Sequence, residues 1–274
     1  MLLALEHLTP VQHSPKKPRS DRVKIRKATA ADKDGRLIVA TVKGRTVGVA
    51  HASLQTPDVA WLEGVRVHEQ YRGLGIAGKL NGALVEWARK RRARVARLCT
   101  GSSNIASKKH LEKIGFPLLQ TFQRLDSTKG LRAKPGGVAG PRRTAKGLWN
   151  WLNERPEFGE NCAMYSDGWT WHPLTLQALK DHVVHGRVLI SSRNGQPSAL
   201  CILLDEDKVL TMGLVAGVPR DVGKLIRMLR FLMFRKKRGK LRILLPSKSP
   251  LVRALERSGF EKVAKILVYQ KFLG

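Results

Sequence analysis

Acidic residues and aromatic side chains are scarce in this sequence, and each shortage narrows the possible functions. The 274 residues include 21 Asp and Glu against 51 Lys and Arg, a formal charge of +30. Such a surface attracts nucleic acid, anionic membranes or acidic ligands. Phe, Trp and Tyr together make up 6% of the chain, so no base-stacking platform is evident.

Cysteine is also rare, and long apolar runs are missing. Cys99, Cys162 and Cys201 are widely spaced and form neither a metal-binding pattern nor a disulfide framework, which favours a reducing cytosol. The apolar start, MLLALEHL, is too short for a signal peptide and contains Glu. No other stretch approaches the length of a membrane span. We therefore expect a soluble cytoplasmic protein without a metal site or membrane contact.

Residues 61–80, WLEGVRVHEQYRGLGIAGKL, combine a strand pattern, a glycine-containing turn and a helix pattern. The strand covers Trp61 to Val67. Gly73 and Gly75 permit a tight turn and leave the backbone open to a ligand. The turn precedes a helix, whose unpaired N–H groups favour an anion, and Arg72 adds a positive charge. The sequence therefore predicts a phosphate site here.

The spacing of this turn identifies the kind of phosphate site. It fits neither the dinucleotide pattern GxGxxG nor a P-loop. The stretch V-x-x-x-x-RGxGIA-x-x-L, from Val67 to Leu80, resembles the acetyl-CoA pyrophosphate loop of the GNAT superfamily of N-acetyltransferases. Downstream, NIASKKHLEKIGF at 104–116 resembles the superfamily's next motif, Asn-x-x-Ala-x-x-Leu-Tyr-x-x-x-Gly-Phe. The resemblance implies a mixed-sheet α/β fold and acetyl-CoA as co-substrate.

The same resemblance implies which residues hold acetyl-CoA. The turn would bind pyrophosphate, and the main chain of the preceding strand would hold the pantetheine and the carbonyl group. Asn104 matches a position that contacts CoA in the family, although it suits the N-cap of the next helix equally well. The expected cofactor-binding residues are Val65, Val67, Arg72, Gly73, Leu74, Gly75, Ile76, Ala77 and Asn104.

Two residues are candidates for the general base that takes the proton of the attacking amine. Glu63 is the first, expected on the same strand face as Val65 and Val67. His51, at the end of a preceding strand, is the second. The family tyrosine that protonates the departing thiolate falls at Leu111, so the resemblance supplies no general acid.

Composition and repeated motifs predict two tandem GNAT-like domains. We expect a basic disordered arm over 1–21, an acetyl-CoA-binding domain over 22–124, a basic Gly/Pro linker over 125–147 and a degenerate GNAT-like domain over 148–274. Gly78-Lys79-Leu80 recurs as Gly223-Lys224-Leu225, and HLEKIGF at 110–116 recurs as ALERSGF at 254–260. Turns at Lys43-Gly44 and Asn194-Gly195 predict a hairpin in each copy.

Each copy departs from the family in its own way. GNAT domains usually place two helices after the first strand, where they wall the acceptor site, but only ADKDG at 31–35 stands there. In the second copy the turn becomes GVPRDV at 217–222, and Pro219 removes an N–H donor. We therefore expect the second copy to bind no pyrophosphate and instead to wall the acceptor pocket of the first, with Trp149, Trp151, Trp169, Trp171 and His172.

The predicted function is transfer of acetyl from acetyl-CoA to a primary amine by direct attack in a ternary complex. The amine could belong to a small molecule, an amino acid or a protein. The alternative is a non-catalytic, basic RNA- or ribosome-associated module that retains a CoA site. Basic clusters at 89–97, 129–146 and 235–242 keep RNA or ribosome contact open, although the first and third also suit helix C-termini.

Overall fold

A computed structural model describes residues 23–27, 35–140, 144–206 and 208–274. The predicted basic arm, residues 1–21, and most of the ADKDG segment lie outside these described residues. The first half of the chain is taken here as residues 23–127. Its described residues form six strands and two α-helices: β1 (Val23–Lys27), β2 (Gly35–Val42), β3 (Arg45–Thr56), β4 (Val59–Val67), α1 (Ile76–Lys90), β5 (Val95–Gly101), α2 (Ile105–Lys113) and β6 (Leu118–Ser127).

The second half, residues 138–274, repeats this order with extra elements near its start. Its elements are β7 (Val138–Ala139), α3 (Ala145–Asn153), α4 (Pro156–Glu160), β8 (Met164–Ser166), β9 (Trp171–Pro173), α5 (Leu176–Val184), β10 (Val188–Arg193), β11 (Gln196–Glu206), β12 (Val209–Gly217), α6 (Pro219–Arg235), β13 (Lys240–Pro246), α7 (Pro250–Arg257) and β14 (Glu261–Phe272). No helix in the described part of the chain is long and apolar enough to cross a membrane.

The two predicted hairpins are confirmed. Lys43 and Gly44 turn between β2 and β3 with φ of 50° and 80°, and Asn194 and Gly195 turn between β10 and β11 with φ of 49° and 73°. Consecutive positive φ values give a turn whose twist matches that of the flanking strands. The same local chemistry therefore builds both halves.

Within the described residues, twelve strands form one mixed sheet in the order β1-β2-β3-β4-β5-β14-β6-β13-β12-β11-β10-β7. The last strand of the chain, β14, is inserted between β5 and β6 and pairs with both. In turn β6 pairs with β13 of the second half. Each half has therefore given its final strand to the other, and the predicted domain of residues 22–124 is incomplete without β14.

Equivalent hydrogen bonds mark this exchange on both sides. The Ser102 amide donates to the Lys265 carbonyl at 2.9 Å, and the Ser247 amide donates to the Thr121 carbonyl at 2.8 Å. The first bond joins the loop after β5 to β14, and the second joins the loop after β13 to β6. The exchange is therefore reciprocal.

An ion-pair cluster fastens β6 to β13. The Asp126 carboxylate is almost fully buried and lies 2.7 Å from Arg124, 3.1 Å from Arg242 and 3.4 Å from Lys240. Burial alone would raise the pKa of Asp126, but hydrogen bonds from Arg124 and Arg242 outweigh it and lower that pKa. The cations make this buried charge tolerable, and they come from both halves.

The linker predicted over 125–147 is shorter in the structure. Leu125–Ser127 belong to β6, and residues 145–147 already form the first turn of α3. Between them, Val138–Ala139 pair with β10 as the edge strand β7. Both ends of the predicted linker are therefore ordered. Its first residues continue strand β6, and Thr144 caps α3 near its other end.

Helices cover the two faces of the sheet unequally. In the first half α1 buries Ile76, Leu80 and Leu84 against β2, β3 and β4, and α2 adds Leu111 on the same face. In the second half α6 and α7 cover the corresponding face, while α3, α4 and α5 cover the other. Among the described residues no helix of the first half covers its opposite face. Part of that face is covered by the hairpin of β8 and β9.

The exchanged strand predicts that a substitution in the second half destabilises the first. Leu267 of β14 is 7% exposed and belongs to the core beneath α1. We expect Leu267→Ala to lower the free energy of unfolding by about 2–5 kcal/mol and to speed amide hydrogen exchange in β3 and β4. Phe272→Ala, at a 73% exposed position of the same strand, is the matched control. Unchanged exchange in β3 and β4 in Leu267→Ala would contradict the strand assignment.

Candidate functional site

The predicted phosphate turn lies where expected, between β4 and α1. A short 3-10 turn, Glu69–Tyr71, leads into it, and α1 begins at Ile76. Gly73 and Gly75 have φ of 83° and 71°, which residues with a side chain rarely adopt, and a Cβ at either position would meet no atom within 4 Å. The glycines are therefore required by the backbone conformation, and space remains beside them.

The amides of this turn point away from the hydrogen-bonded backbone around them. The first helical hydrogen bond of α1 runs from Lys79 to the Gly75 carbonyl at 3.1 Å. The N–H groups from Gly73 to Gly78 find no acceptor among the residues that the structure describes. Arg72 is held beside them by a 3.3 Å hydrogen bond from its Nε to the Val67 carbonyl. Free amides, a helix N-terminus and a nearby guanidinium suit an anion.

The two strands beside the turn, β4 and β5, separate before they reach it. Parallel pairing of β4 with β5 covers Val59–Val95, Ala60–Ala96 and Trp61–Arg97 and ends there. Beyond Trp61 the two strands diverge, so the main chain of Val65 and Val67 is unpaired on the β5 side. This opening leads directly to the glycine turn.

A bulge in β4 changes which residues share a face. Gly64 has φ of 66°, and the pairing with β3 shifts register between Val49 and His51. As a result Val65 and Val67 pack against the core beneath α1, with Ala60 and Leu62. The prediction that Glu63 shares their face is wrong, because it assumed an unbroken two-residue alternation. The sequence did not predict a bulge at Gly64.

The two candidate bases form one pair. His51 and Glu63 are direct cross-strand neighbours, and His51 Nδ1 lies 3.0 Å from Glu63 Oε1. Their side chains are 26% and 43% exposed, so solvent and an acceptor can reach them. The sequence offered these residues as alternatives, and the structure brings them together.

Asn104 is the N-cap of α2, as one of its two predicted roles required. Its side-chain Oδ1 accepts a 3.0 Å hydrogen bond from the Ser107 amide. Oδ1 is therefore used within the helix. Contact between Asn104 and CoA stays a prediction.

The general-acid position of the family is closed in this chain. Leu111 is buried in the core beneath α1, where a proton donor would have no route to a ligand. Neighbouring His110 faces α1 instead, with its Nε2 3.1 Å from Asn81 Nδ2. Burial lowers the pKa of His110, and Lys113 lowers it further.

The second half reaches this site through the hairpin of β8 and β9. Trp171 is fully buried between Trp61 and Phe122, with ring centroids 6.2 Å and 4.9 Å away. In the hairpin turn, the Trp169 carbonyl accepts a 3.3 Å hydrogen bond from Cys99 Sγ of β5. Trp169 itself is 53% exposed. The hairpin thus lies on the sheet face that carries Cys99.

The hairpin turn is ordered by an acidic residue. Asp167 accepts hydrogen bonds from the amides of Trp169 and Thr170 and lies 2.8 Å from His172 Nε2. Burial would raise the pKa of Asp167, but the His172 contact and the two amides outweigh it and lower that pKa. His172 stacks on Tyr165, with ring centroids 5.1 Å apart.

The other two tryptophans expected in the pocket lie elsewhere. Trp149 packs edge-on against Phe158, and Trp151 lies under the Arg155 guanidinium at 5.3 Å. Both belong to the helical layer of the second half. Proximity in sequence to Trp169 misled the prediction, because α3 and the hairpin of β8 and β9 pack on different parts of the sheet.

The equivalent turn of the second half is filled by the protein itself. Pro219 opens α6 and supplies no N–H donor, while Asp221 is completely buried in the first helical turn. The Lys224 ammonium lies 2.7 Å from Asp221, and its hydrogen bond lowers the Asp221 pKa. A carboxylate stabilised in this way satisfies the helix N-terminus without a ligand.

The basic cluster at 235–242 is largely engaged within the fold. Lys236 and Arg238 both lie 2.7 Å from Asp205, and Lys240 and Arg242 contact Asp126. Four of its six cations therefore have structural partners. The exposed arginines after α1 at 91, 92 and 94 leave the first cluster more open.

Comparisons with known proteins agree with this geometry. Residues 2–116 match the family model described as "Acetyltransferase (GNAT) family", which confirms the resemblance seen in residues 61–80. No significant match among curated proteins was found.

Solved structures show the same fold over most of the chain. A GCN5-related N-acetyltransferase from Sphaerobacter thermophilus is 15% identical with a TM-score of 0.63, and the match covers 89% of this chain and 83% of that one. A tandem GNAT protein from the clavulanic acid biosynthesis pathway is 13% identical with a TM-score of 0.54, covering 89% and 85%. At these identities the likeness establishes the fold alone.

Cys99 lies close enough to the Glu63–His51 pair to invite a role as nucleophile, and its pKa opposes that role. Burial, together with the nearby charges of Glu63 and Asp167, raises the pKa of the Cys99 thiol to about 12. We expect iodoacetamide at pH 8 to alkylate Cys99 about 10²–10³ times more slowly in the folded protein than in urea, because the thiolate is the reactive form. Peptide mass spectrometry measures this ratio. Equal rates would show that the fold does not suppress the thiolate, and faster alkylation in the folded protein would show that Cys99 is an activated thiol.

Proposed function

Because residues 2–116 belong to the GNAT acetyltransferase family, we propose that this chain is an N-acetyltransferase that transfers acetyl from acetyl-CoA to a primary amine. The observation that carries the proposal is the run of unpartnered amides from Gly73 to Gly78, at the mouth of the opening between β4 and β5. Transfer takes place by direct attack of the amine while both substrates are bound.

The residues around the turn fit acetyl-CoA. The backbone amides of the turn receive the pyrophosphate, and Arg72 adds positive charge. These amides belong to Gly73, Leu74, Gly75, Ile76 and Ala77. The main chain of Val65 and Val67, unpaired on the β5 side, offers hydrogen bonds to the pantetheine and the thioester carbonyl. Asn104 borders the same opening at the start of α2. Bound acetyl-CoA supplies the acetyl group as a thioester, which is activated for attack by an amine.

The Glu63–His51 pair removes the proton that the attacking amine loses. An amine nitrogen that forms a bond to a carbonyl carbon must lose a proton, and a group within hydrogen-bond reach takes it. Glu63 is that acceptor in our proposal, and His51, 3.0 Å away, positions the carboxylate. The leaving thiolate needs no protein acid, because a thiolate is a tolerable leaving group near neutral pH.

The second half serves as the acceptor wall and holds no cofactor in its own turn. We infer that it is a degenerate copy of the first, since Pro219 and the Asp221–Lys224 pair occupy its phosphate position. Its hairpin of β8 and β9 covers the face where the first half lacks helices among the described residues. Two carboxylates, Glu63 and Asp167, lie near Cys99 in this otherwise very basic protein. Negative charge there favours a positively charged amine.

RNA or ribosome contact stays a second candidate for the exposed arginines that follow α1. RNA binding requires no acetyl transfer, so a variant in which the glycine turn is disrupted would still bind RNA.

The turn assignment predicts the effect of one added carboxylate. Gly75→Glu should abolish acetyl-CoA binding in calorimetry, because it places negative charge and bulk where pyrophosphate must lie. The matched control is Gly44→Glu in the β2–β3 hairpin, where φ is also positive and a Cβ also meets open space. Both variants carry the same backbone strain and charge. Equal affinity in the two would remove the cofactor site from this turn.

The proton assignment predicts a kinetic difference between two neighbours. Glu63→Gln should lower kcat about 10²–10⁴-fold, the usual contribution of a general base, with acetyl-CoA affinity unchanged. His51→Ala should cost less, because His51 positions the carboxylate without taking the proton. A larger loss of kcat in His51→Ala than in Glu63→Gln would identify His51 as the proton acceptor and Glu63 as the residue that positions it.

The absent acid predicts the shape of the pH profile. Activity should rise toward alkaline pH without a descending limb, because no protein acid has to stay protonated. Steady-state rates between pH 6 and 10 measure this. A bell-shaped profile whose upper limb vanishes in His110→Ala would show that His110 leaves Asn81 and acts as the acid.

The acceptor wall predicts a selective effect of Trp169→Ala. The variant should raise the acceptor KM several-fold while the affinity for acetyl-CoA and the melting temperature stay unchanged, since this ring is exposed beside the site. Val184→Ala, 81% exposed on α5, is the control for loss of a surface side chain. An unchanged acceptor KM in Trp169→Ala would leave the hairpin without a part in acceptor binding.

A further inference from the structure

A second groove, distinct from the proposed acetyl-CoA site, lies in the second half between the start of α6 and the start of α7. It has a volume of about 880 Å³ and is bounded by Pro219, by residues 247–250 and by the exposed face of α7. Five cationic side chains line it, and no acidic residue does: Lys248, Arg253, Arg257, Lys262 and Lys265.

Most of this charge is not balanced within the protein. Lys262 lies 2.8 Å from Glu256. The other four cations have no carboxylate partner among the described residues, whereas Lys236, Arg238, Lys240 and Arg242 of the same half are all paired. Like charges gathered around one groove repel each other, so their placement there calls for an external anion.

The groove carries more positive charge than its counterpart in the first half. Matching the caps of α2 and α7, and the Gly-Phe pairs that follow these helices, aligns the groove with its counterpart in the first half. Lys248 corresponds to Ser103, Arg253 to Lys109, Arg257 to Lys113, Lys262 to Leu118 and Lys265 to Thr121. Only two of the five first-half positions are cationic. A generally basic composition does not account for this difference.

The groove cannot use the anion site that the first half uses. Pro219 has no amide proton, and Asp221 with Lys224 fills the N-terminus of α6. Binding in this groove would therefore depend on side-chain cations. Arg253 and Arg257 are four residues apart on α7 and project from one face of it, so their guanidinium groups can bind neighbouring phosphate oxygens.

We propose that this groove is a second anion site, which takes a small compound bearing several phosphate groups. Its volume lies in the range typical of small-molecule pockets, and five cations suit a ligand with several negative charges. The site is independent of the acetyl-CoA turn, although β14, which carries Lys262 and Lys265, pairs with β5 and β6 of the first half. Occupancy of the groove would add a ligand contact to the strand that completes the first half.

The test uses the full chain and inorganic triphosphate as probe, by calorimetry at low ionic strength. Gly75→Glu is the background, so that the first-half turn does not contribute. In that background Arg253→Glu with Arg257→Glu should weaken triphosphate binding at least tenfold. Lys180→Glu with Lys208→Glu, two exposed positions outside the groove, makes the same change in net charge and should alter the affinity less than twofold.

Three outcomes would overturn the proposal. Triphosphate affinity that falls equally in both double variants would show a general charge effect. No triphosphate binding in the Gly75→Glu background would leave the first-half turn as the anion site. Binding of a labelled single-stranded RNA that depends on Arg253 and Arg257, without triphosphate binding, would make the groove part of a nucleic-acid surface. Lys248→Gln with Lys265→Gln repeats the test should the Glu variants fail to fold, as judged by circular dichroism.

Discussion

The position of β14 between β5 and β6 is the constraint on which the rest of the structure depends. The last strand of the chain supplies Leu267 and Tyr269 to the core beneath α1 and Ile266 and Val268 to the core shared with Trp171. Each half therefore completes its sheet with a strand from the other. The glycine turn between β4 and α1 lacks a stable support until the C-terminal strand is in place, so the chain is expected to fold as one cooperative unit.

The two halves use the same helix N-terminus in opposite ways. In the first, Gly73 and Gly75 keep the amides open, and the positive end of α1 is left for a ligand. In the second, Asp221 occupies the first turn of α6 and is neutralised by Lys224. The Asp221 carboxylate supplies the negative charge at this helix N-terminus that a bound phosphate would otherwise supply. The turn of the second half is therefore stable without a ligand. A few substitutions in one turn thus account for the difference between the two helix N-termini.

Local patterns in the sequence predicted the local structure well. The glycine turn, both hairpins and the Asn104 cap depend on backbone preferences of a few neighbouring residues, and all are present in the structure. The glycine turn was recognisable because glycine spacing and helix periodicity coincide within residues 61–80. The family assignment followed from the same stretch.

What the sequence did not predict depends on contacts between distant residues. The sequence of residues 261–272 does not determine which strands β14 pairs with. The exchange of final strands between the halves was therefore not predicted. The bulge at Gly64 puts Glu63 on the opposite face of the strand from Val65 and Val67. An extra residue in a strand shifts the alternation of faces for every residue that follows it. Trp149 and Trp171 looked equivalent in sequence, yet only Trp171 reaches the first half. The pairing of His51 with Glu63 could have been found by counting cross-strand register through the hairpin.

The most direct measurement of the central claim is release of free CoA from acetyl-CoA in the presence of a panel of primary amines, including amino acids, peptides with free N-termini, lysine and polyamines. The account predicts that at least one amine accelerates CoA release by the wild-type chain and that Gly75→Glu abolishes this acceleration. CoA release that no amine accelerates, from a protein that still binds acetyl-CoA, would contradict it and favour a binding module that has kept the cofactor site without the reaction.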